Sequence, residues 1–497
     1  MKKFIITLIV LISATGIFQS CSEFLEENPI DRYVVGNFYS DQRDAEASVT
    51  AVYQALYNIY SRHMFLLNEL PADDEKNGLG MPNQFLQDLE YLRHTSENQF
   101  VREMWQRNYV LIARANTAIN NIPEITMDET VKNRLIGEAS FLRALCYFNL
   151  VRFWGDVPLV TLLESVEDAM GPRTPKTEVY QQIIDDLTFA ENNLPVSYPA
   201  SDIGRVTKGA AKILLGKVYL TMQEFDKSET KLAEVVENEL AYGYGLHEDY
   251  GDNWEKDTEN GKEMVFSIEY MDPPGTGNSA MVLQGPKYSL PGGYAVLGLS
   301  ELNEADIPTR DLYSQFLDTD ERKEETCRTE FISLKNGTSH FSSIPIFVKY
   351  WEDNEPVPGR SDANIHIIRY SDALLMYAEA LNEVGQSAKA HDYLNRVRER
   401  AFNSVDNNYS GLSKEDFRTA VLKERRLEFA MEGHRWFDLV RTGTFVQRMT
   451  EQANYEASVA EPNKVEIAQN VKAHMMLMPI PQREIDLNPA LTQNPGW

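Results

Sequence analysis

Apolar residues recur at helical spacing over most of the first half of the chain. Between about residues 40 and 240, apolar side chains repeat every three or four positions, and the alternation typical of strands is rare. Four segments show this pattern most clearly: DAEASVTAVYQALYNIY, WQRNYVLIARANTAINNI, LIGEASFLRALCYFNLVRFWG and EVYQQIIDDLTFAENNL. Pro123, Pro158 and Pro195 lie just after three of them and separate the periodic runs. The pattern predicts a series of amphipathic helices.

Two stretches carry the spacing of a tetratricopeptide unit, which is a pair of helices joined by a tight turn. Residues 371–401 match its packing positions, and Gly385 falls where the turn must be. Residues 209–237 repeat the pattern, although Lys212 and Ser228 break two of its positions. Such units bury their apolar faces only by stacking on one another, so we expect a short helical solenoid.

The composition changes between about residues 243 and 365. Gly, Pro, Asn and Tyr become dense, and short strand-like pieces such as EMVFSIEY and IPIFVKYW appear among them. A second turn-rich stretch at 71–84 interrupts the helices. Long irregular segments in a compact protein are usually functional loops, and the aromatic content here favours order. The whole pattern predicts a mostly α fold, with a tetratricopeptide-like helical scaffold and an irregular, loop-rich region carrying short strands.

The N-terminus has the parts of an export signal. A positively charged end precedes an apolar run over 4–17, which is shorter than the about 20 residues of a stable membrane span. The segment resembles a bacterial lipoprotein signal peptide, in which Cys21 would receive the lipid after removal of residues 1–20. Phe18 and Gln19 depart from the usual residues before such a cysteine. The alternative is a plain secretory signal whose cysteine is incidental.

Charge and cysteine content narrow the functional classes. The chain has 497 residues, is 43% hydrophobic and carries a formal net charge of −27. This acidity argues against nucleic acid as a partner and against docking on anionic lipid through a basic patch. With Cys21 acylated, only Cys146 and Cys327 remain. A disulfide between them is possible, but their sequence contexts favour free thiols.

Five segments, in matching order along nearly the whole chain, resemble signatures of the SusD/RagB family. They are CSEFLEENP, GEASFLRALCYFNLVRFWGDVPLV, IIRYSDALLMYAEALNEVG, ERRLEFAMEGHRWFDLVRTG and PIPQREIDLNPALTQNPGW. The resemblance implies a helical fold with tetratricopeptide-like units, lipid-anchored on the outer leaflet of the outer membrane. It also implies that the protein captures substrate as the lid of a TonB-dependent transporter, a SusC-like barrel. The ligands of the family are typically oligosaccharides and, in some members, peptides.

The resemblance also implies how the chain is divided. We expect a signal peptide over 1–20, an N-terminal helical half over 21–240, a loop-rich ligand-binding region over 241–365 and a C-terminal helical half over 366–497. The three parts after the signal are expected to form one integrated globular domain.

Charged residues crowd the fourth of these segments. Alternating signs at three- and four-residue spacing beside large apolar residues indicate structural ion pairs rather than a catalytic or phosphate-binding cluster. The cluster comprises Glu424, Arg425, Arg426, Glu428, Glu432, Arg435 and Asp438. We expect the same structural role for Arg143, Arg369 and Asn382. The Pro- and Asn-rich tail is expected to be a strap over the helices.

No motif in the chain indicates catalysis. HExxH, CxxC, GxSxG and the phosphate-binding GxxxxGK[ST] are all missing, and the eight histidines show no metal-ligand spacing. The 75 acidic residues offer no pair whose spacing singles it out. The stretch ELPADDEKNG hints at an acidic rim or cation site, although a solvated turn is favoured. We therefore expect a non-enzymatic protein without a cofactor or a catalytic metal, and the sequence leaves a structural cation open.

Three functions remain, and the first is a surface glycan-binding lipoprotein that works with a transporter. The second is a member of the same machine that binds peptide or another nutrient, and the third is a surface glycoside hydrolase. Aromatic platforms separate the first two, because sugar rings present apolar C–H faces that stack on Trp or Tyr, while sugar hydroxyls need polar partners.

The candidate ligand contacts lie in the irregular segments. Side chains there can be presented to solvent from a scaffold that the helices fix, whereas aromatics of the repeats such as Tyr219, Tyr377 and Trp436 occupy packing positions. The family tends to build its pocket from such loops together with the early loop. Our candidates are Asn77, Tyr91, Arg93, Trp254, Tyr270, Tyr288 and Tyr294.

Overall fold

Helices form most of the structure, with short strands set between them. The computed structural model describes residues 38–80, 82–162, 165, 167–270, 277, 280–299, 302–351, 363–459 and 461–497. The predicted signal peptide and its cysteine, Cys21, lie outside the described residues.

The helices are described first by their bounds. They are α1 (Gln42–Tyr60), α2 (His63–Asn68), α3 (Gln84–Glu90), α4 (Gln99–Asn121), α5 (Glu129–Trp154), α6 (Lys176–Asn193), α7 (Lys208–Thr221), α8 (Phe225–Val236), α9 (Glu239–Tyr242), α10 (Ala280–Gln284), α11 (Arg310–Gln315), α12 (Arg322–Thr326), α13 (Tyr370–Glu383), α14 (Ser387–Phe402), α15 (Lys414–Glu428), α16 (Arg435–Arg441), α17 (Phe445–Val459), α18 (Val465–Asn470) and α19 (Gln482–Leu487).

Short strands pair across long separations in the chain. They are β1 (Glu75–Asn77), β2 (Met264–Ile268), β3 (Asp306–Pro308), β4 (Cys327–Ile332), β5 (Ser339–Phe347) and β6 (Ile365–Arg369). The antiparallel pairs are β1 with β3, β2 with β6 and β4 with β5. In the first pair Asn77 lies opposite Asp306. This pair ties the early loop to the irregular region that follows α10.

The long helices begin at side chains that cap them. Asp41 accepts hydrogen bonds from the amides of Arg43 and Asp44 at the start of α1, and Asp128 caps α5 in the same way. These bonds satisfy amides that have no partner within the helix. Helix α5 is buried almost throughout its second half, because α4 and α6 both pack against it. It therefore forms the centre of the N-terminal half.

Helix pairs stack side by side into the expected solenoid. Helix α1 packs on α4, α4 on α5, α5 on α6, α6 on α7 and α7 on α8. Helix α8 then packs on α13, and α13 on α14, so the stack continues across the irregular region. The mostly α, tetratricopeptide-like fold predicted from the periodicity is confirmed.

The two predicted tetratricopeptide units are confirmed as α13–α14 and α7–α8. Gly385 turns the chain between the first pair with φ of +84°. In the second pair, the two residues that depart from the pattern are accommodated by polar contacts. Ser228 donates to the carbonyl of Gly216 at 2.9 Å, and Lys212 pairs with Glu234.

The aromatic residues of the helical repeats and the two described cysteines pack in or against the core, as expected. Tyr377 and Trp436 are fully buried, while Tyr219 is half-buried against the core. Cys146 and Cys327 are buried and free, so the expectation of free thiols is confirmed. Among the described helices, none combines the length and the apolar character that crossing a bilayer requires.

The charged signature segment forms structural ion pairs, as expected. Most partners lie in distant segments rather than one turn away along the same helix. Arg369 pairs with Glu428 at 2.9 Å and with Glu432 at 2.8 Å, and all three are buried. Arg435 pairs with Asp73 at 2.6 Å. Burial of each charge together with its partners explains why so many charges are tolerated inside the protein.

The expectation of a solvated turn at ELPADDEKNG is wrong, because Asp73 and Asp74 are fully buried against arginines of the charged segment. Three other structural expectations are met. Arg143 holds Asp186 through two bonds of 2.8 and 2.6 Å, and Asn382 donates to the carbonyl of Lys414 at 3.1 Å. The C-terminal tail is a strap over the helices. Its last residue, Trp497, donates its indole N–H to the carbonyl of Leu477 at 2.9 Å.

Candidate functional site

A cleft of about 820 Å³ opens between the early loop and the chain around α18. The end of β1 and helix α3 form one wall, α18 and the turn before it form the second, and residues near β3 close the end. Its size is within the range that small-molecule ligands occupy in proteins. Three of the residues predicted from the sequence, Asn77, Tyr91 and Arg93, line it together.

The turn after α3 sets Tyr91 and Arg93 beside each other. Tyr91 ends the helix, and Leu92 follows with φ of +51°, in the left-handed region that a leucine rarely adopts. Burial of the Leu92 side chain, which is 1% exposed, offsets this cost. The amide of Arg93 donates to the carbonyl of Asp88 at 2.7 Å, which closes the turn.

Two cations lie close to the ring of Tyr91. The Arg93 guanidinium carbon is 5.0 Å from the ring centroid, and Lys464 Nζ is 4.6 Å from it. Both distances are within the range of attraction between a cation and an aromatic face. The Tyr91 carbonyl accepts a hydrogen bond from Asn470 Nδ2 at 2.8 Å. The ring is therefore held by both walls of the cleft.

The charged groups of the cleft are paired across it. Arg93 Nη1 donates to Glu466 Oε1 at 2.9 Å, while the Arg93 side chain remains 38% exposed. Lys464 pairs with Glu90, and Lys76 with Glu461. Burial raises the pKa of Glu90, and the charge of Lys464 opposes this rise. Each of these charged groups therefore has a partner of opposite charge within the cleft.

Glu304 organises the far end. Its Oε2 accepts from the amides of Lys287, Tyr288 and Ser289 at 2.7, 2.8 and 2.9 Å and from the Ser289 hydroxyl at 2.8 Å. This fixes the turn that carries Tyr288, whose side chain is 55% exposed. Glu304 itself lines the cleft. The turn that carries this exposed aromatic residue is thus anchored by a residue of the cleft.

Three of the candidates from the later loops are buried or half-buried. Tyr294 is half-buried against a small second core around Leu290 and Leu297. The expectation that Trp254 and Tyr270 face solvent is wrong, because their side chains are 9% and 7% exposed. The Trp254 ring packs 4.9 Å from that of Tyr250.

The physical reason for this burial is contact with the interior. The charged groups of Lys349 and Arg369 lie 5.0 and 5.5 Å from the Trp254 ring, so the indole covers the buried ion pairs. Tyr270 makes an edge contact with Tyr57 on α1, with ring centroids 4.9 Å apart. Neither ring is available to a ligand in this arrangement.

Sequence patterns did not indicate Glu304, Lys464 or Glu466. They reach the cleft only through the pairing of β1 with β3 and the packing of α18. The sequence around a glutamate or a lysine in a polar turn does not indicate that long-range packing will bring it to a cleft. Within the described ranges, no group of three or more His, Cys, Asp or Glu side chains has the geometry to hold a metal ion.

Comparisons with known proteins identify the family. A family model described as the SusD family matches residues 246–497, and one described as starch-binding associating with outer membrane matches residues 23–220. The SusD-like protein P38 of Formosa agariphila is 31% identical, over 90% of this chain and 94% of that protein. The starch-binding protein SusD of Bacteroides thetaiotaomicron is 23% identical, over 88% and 86%.

Solved structures give the same result. A laminarin-binding SusD-like protein is 28% identical and superposes with a TM-score of 0.77 over 92% of this chain and 100% of that chain. A SusD homologue from Bacteroides thetaiotaomicron is 25% identical, with a TM-score of 0.79 over 94% and 99%. The protein is a helical-repeat binding scaffold with an open surface cleft, and the chain belongs to the SusD family.

Proposed function

We propose that this protein is a cell-surface lipoprotein that captures oligosaccharides at the outer membrane and delivers them to a TonB-dependent transporter for import. The observation that carries the proposal is the cleft in which Tyr91 and Arg93 lie beside paired charges. Membership of the SusD family supports the same function, since relatives are described as starch-binding and laminarin-binding.

The chemistry of the cleft suits a polyhydroxylated ligand. A sugar ring needs an aromatic face for its C–H surface and fixed donors and acceptors for its hydroxyls. Tyr91 and the exposed Tyr288 supply the aromatic faces. Asn77 and Arg93 supply the polar contacts for the hydroxyls. We assign Tyr294, which packs against the second core, and the buried Trp254 and Tyr270 to packing rather than to ligand contact.

The cleft carboxylates favour binding over hydrolysis. Glu90, Glu461 and Glu466 each pair with a lysine or arginine, and Glu304 is held by four hydrogen bonds. A glycosidase needs one carboxyl free to donate a proton and a second free to act as base or nucleophile. We therefore propose that the protein is not an enzyme.

The test is calorimetric titration of the purified protein with laminarin and starch oligosaccharides and with peptides of similar length. We expect an oligosaccharide to bind and Tyr91→Ala to weaken that binding by about 1 to 3 kcal/mol, the usual value of one stacking aromatic. Tyr409→Ala is the matched control, because Tyr409 also packs under an arginine, Arg398 at 4.0 Å, but lies outside the cleft.

Two results would contradict this assignment. Binding that is unchanged in a folded Tyr91→Ala variant would place the site elsewhere. Binding of peptides but of no oligosaccharide would favour the peptide-binding alternative within the same family.

The location and the partner form the second part of the proposal. We propose that Cys21 carries the lipid anchor, that the protein faces the outside of the cell and that a SusC-like TonB-dependent barrel is its partner. Permanent interfaces of this kind bury about 2,000 Å² or more, so the complex should survive mild detergent. We expect co-purification with the transporter and cleavage of the protein when intact cells are treated with protease. Recovery as a lone monomer after crosslinking would contradict the partnership.

A further inference from the structure

A second cavity, of about 570 Å³, lies between the helices and the C-terminal strap. The end of α5, the ends of α7 and α16, and residues 492–495 of the strap enclose it. It has no lining residue in common with the cleft described above. Much of its wall is apolar, including Val151, Leu220, Phe437 and Leu477. Nothing in the proposed capture of oligosaccharides uses this cavity.

Arg152 supplies a positive charge that forms no ion pair with a described carboxylate, although the charges of Asp372 and Asp438 act on it and favour its protonated form. Its guanidinium carbon lies 3.9 Å from the ring centroid of Phe148 and 3.6 Å from that of Phe437. Nε donates to the carbonyl of Phe148 at 3.1 Å, and Nη2 to Asn149 Oδ1 at 2.8 Å. In the described part of the chain, no Asp or Glu pairs with Arg152, and its Nη1 group makes no hydrogen bond. The guanidinium is therefore fixed in place with one donor group unused.

The other cations at the bottom of the cavity are compensated. Arg425 pairs with Asp372 at 2.7 Å and with Asp438 at 2.8 Å. Lys217 Nζ donates to Asp372 at 2.8 Å and lies 3.4 Å from His434 Nδ1. The excess positive charge at the bottom of this cavity thus comes from Arg152.

Two more basic residues line the mouth. Arg173 is held by the carbonyls of Asp156, Thr492 and Trp154 at 2.8, 3.1 and 3.2 Å. In the ranges that the structure describes, Arg173 forms no close ion pair, although the Asp156 carboxylate also lines the mouth and its charge acts on Arg173. The basic side chains of the cavity still outnumber the acidic ones. Lys176 is exposed at the start of α6. A positive cavity in a chain whose net charge is −27 calls for a negatively charged ligand.

The pKa values of the basic groups at the bottom of the cavity agree with an excess of positive charge there. Burial lowers the pKa of Lys217, and the charge of Arg152 lowers it further, although Asp372 opposes both effects. Burial also lowers the pKa of Arg152 to about 10 and that of His434 to about 3. A bound anion would favour the protonated forms of all three groups.

We propose that this cavity is a second binding site, which takes a molecule of about monosaccharide size that carries a carboxylate or a sulfate, such as a uronic acid. The planar guanidinium of Arg152 meets the oxyanion through its free Nη1 group. The apolar wall packs against the body of the ligand. Thr221, Gln493 and Asn494 at the rim supply polar contacts for its hydroxyls.

The test is calorimetric titration of the full chain with three probes: glucuronate, glucose 6-sulfate and neutral glucose. We expect at least one of the two anions to bind at least about tenfold more tightly than glucose, because a hydrogen bond to a charged group contributes about 1.5 to 3 kcal/mol. Comparison of the two anions distinguishes a carboxylate ligand from a sulfate ligand.

Variants locate the site. Arg152→Gln should weaken anion binding by about tenfold or more. Lys176→Glu changes only an exposed side chain, so it should fold normally and still weaken binding through the reversed charge at the mouth. Arg418→Gln, which removes one positive charge from an exposed position outside the cavity, should bind like the wild type. These losses should shrink in high salt.

The proposal is overturned if neither anion binds, or if glucose binds as tightly as both anions. It is also overturned if Arg152→Gln, or Lys176→Glu where the first variant does not fold, binds the anion like the wild type.

Discussion

Arg369 forms ion pairs with three buried carboxylates that are distant from it in the sequence. It bonds Glu263 at 2.6 Å, Glu428 at 2.9 Å and Glu432 at 2.8 Å. Burial would raise the pKa of Glu432, but Arg369 and Lys349 lower it to about 2. The three carboxylates therefore stay ionised inside the protein only because cations remain beside them.

Arg369→Met tests this dependence. The change leaves buried carboxylates with fewer partners, and breaking a buried pair in this way costs about 3 to 5 kcal/mol. The control is Lys227→Ala, because the pair of Lys227 with Glu224 is at the surface, with side chains 59% and 44% exposed. The loss there should be below about 1 kcal/mol. Denaturant unfolding measures both, and equal losses would contradict the structural role of the network.

Buried histidines predict sensitivity to acid. His94 is 3% exposed, and burial lowers its pKa to about 4, whereas an unfolded chain has a histidine pKa of about 6.5. The unfolded state therefore takes up the proton first as pH falls. Stability from this group is complete above pH 6.5 and decreases down to about pH 4, by about 1.4 kcal/mol per pH unit.

His94→Phe removes this proton and keeps a ring against Trp497, whose centroid is 4.9 Å from that of His94. The free energy of unfolding should fall less steeply in the variant than in the wild type between pH 6.5 and 4. Denaturant unfolding at several pH values gives the slope. Parallel curves would mean that His94 takes up its proton equally in both states.

The sequence brought three candidates to one cleft and put two others in the wrong environment. Asn77, Tyr91 and Arg93 were chosen because the family tends to build its pocket partly from the early loop, and all three line the cleft. Trp254 and Tyr270 lie in similar turn-rich surroundings but are buried, because long-range contacts with Arg369 and Tyr57 cover them. Local composition indicates irregular backbone but not which side of it faces water.

At the scale of elements, the tight turn between α13 and α14 depends on one glycine. Gly385 has φ of +84°, and a Cβ at this position would meet no atom within 4 Å. Any loss of stability in Gly385→Ala therefore comes from the strained backbone conformation rather than from a clash. We expect the free energy of unfolding to fall by about 1 to 2 kcal/mol.

Gly171→Ala is the matched control for this turn. Gly171 also has open space around a Cβ, but its φ is not in the left-handed region. Alanine there should be neutral or stabilising by up to about 1 kcal/mol, because it restricts the unfolded chain. Thermal unfolding of the two variants compares them, and a loss of the same size in both would contradict the backbone explanation.

Helices were easier to predict than strands for a physical reason. The periodicity of α7, α8, α13 and α14 is local, because each helix satisfies its own backbone hydrogen bonds and shows its buried face in its own sequence. A strand needs a partner, and β1 finds its partner β3 far along the chain. Nothing in EKN at residues 75–77 indicates DIP at 306–308, so the closed end of the cleft could not be predicted.

At the scale of the whole molecule, long-range contacts join the two helical halves. Helix α8 packs on α13, and the strap reaches back to α5, where Asn494 Nδ2 donates to the carbonyl of Trp154 at 3.0 Å. These contacts hold together parts of the chain that are up to 340 residues apart.

The attachment of the molecule to the membrane gives the last prediction. Each acyl CH₂ buried in a bilayer contributes about 0.8 kcal/mol, so the two or three chains of a lipidated cysteine would hold the folded domain firmly. Cys21→Ala should abolish incorporation of a fatty-acid analogue and release the protein from the detergent phase, while its melting temperature stays unchanged. Cys327→Ala is the control, because the Cys327 thiol is buried in the folded domain. This variant still has Cys21 and should therefore incorporate the label. Equal labelling of wild type and Cys21→Ala would show that the cysteine after the apolar run is incidental.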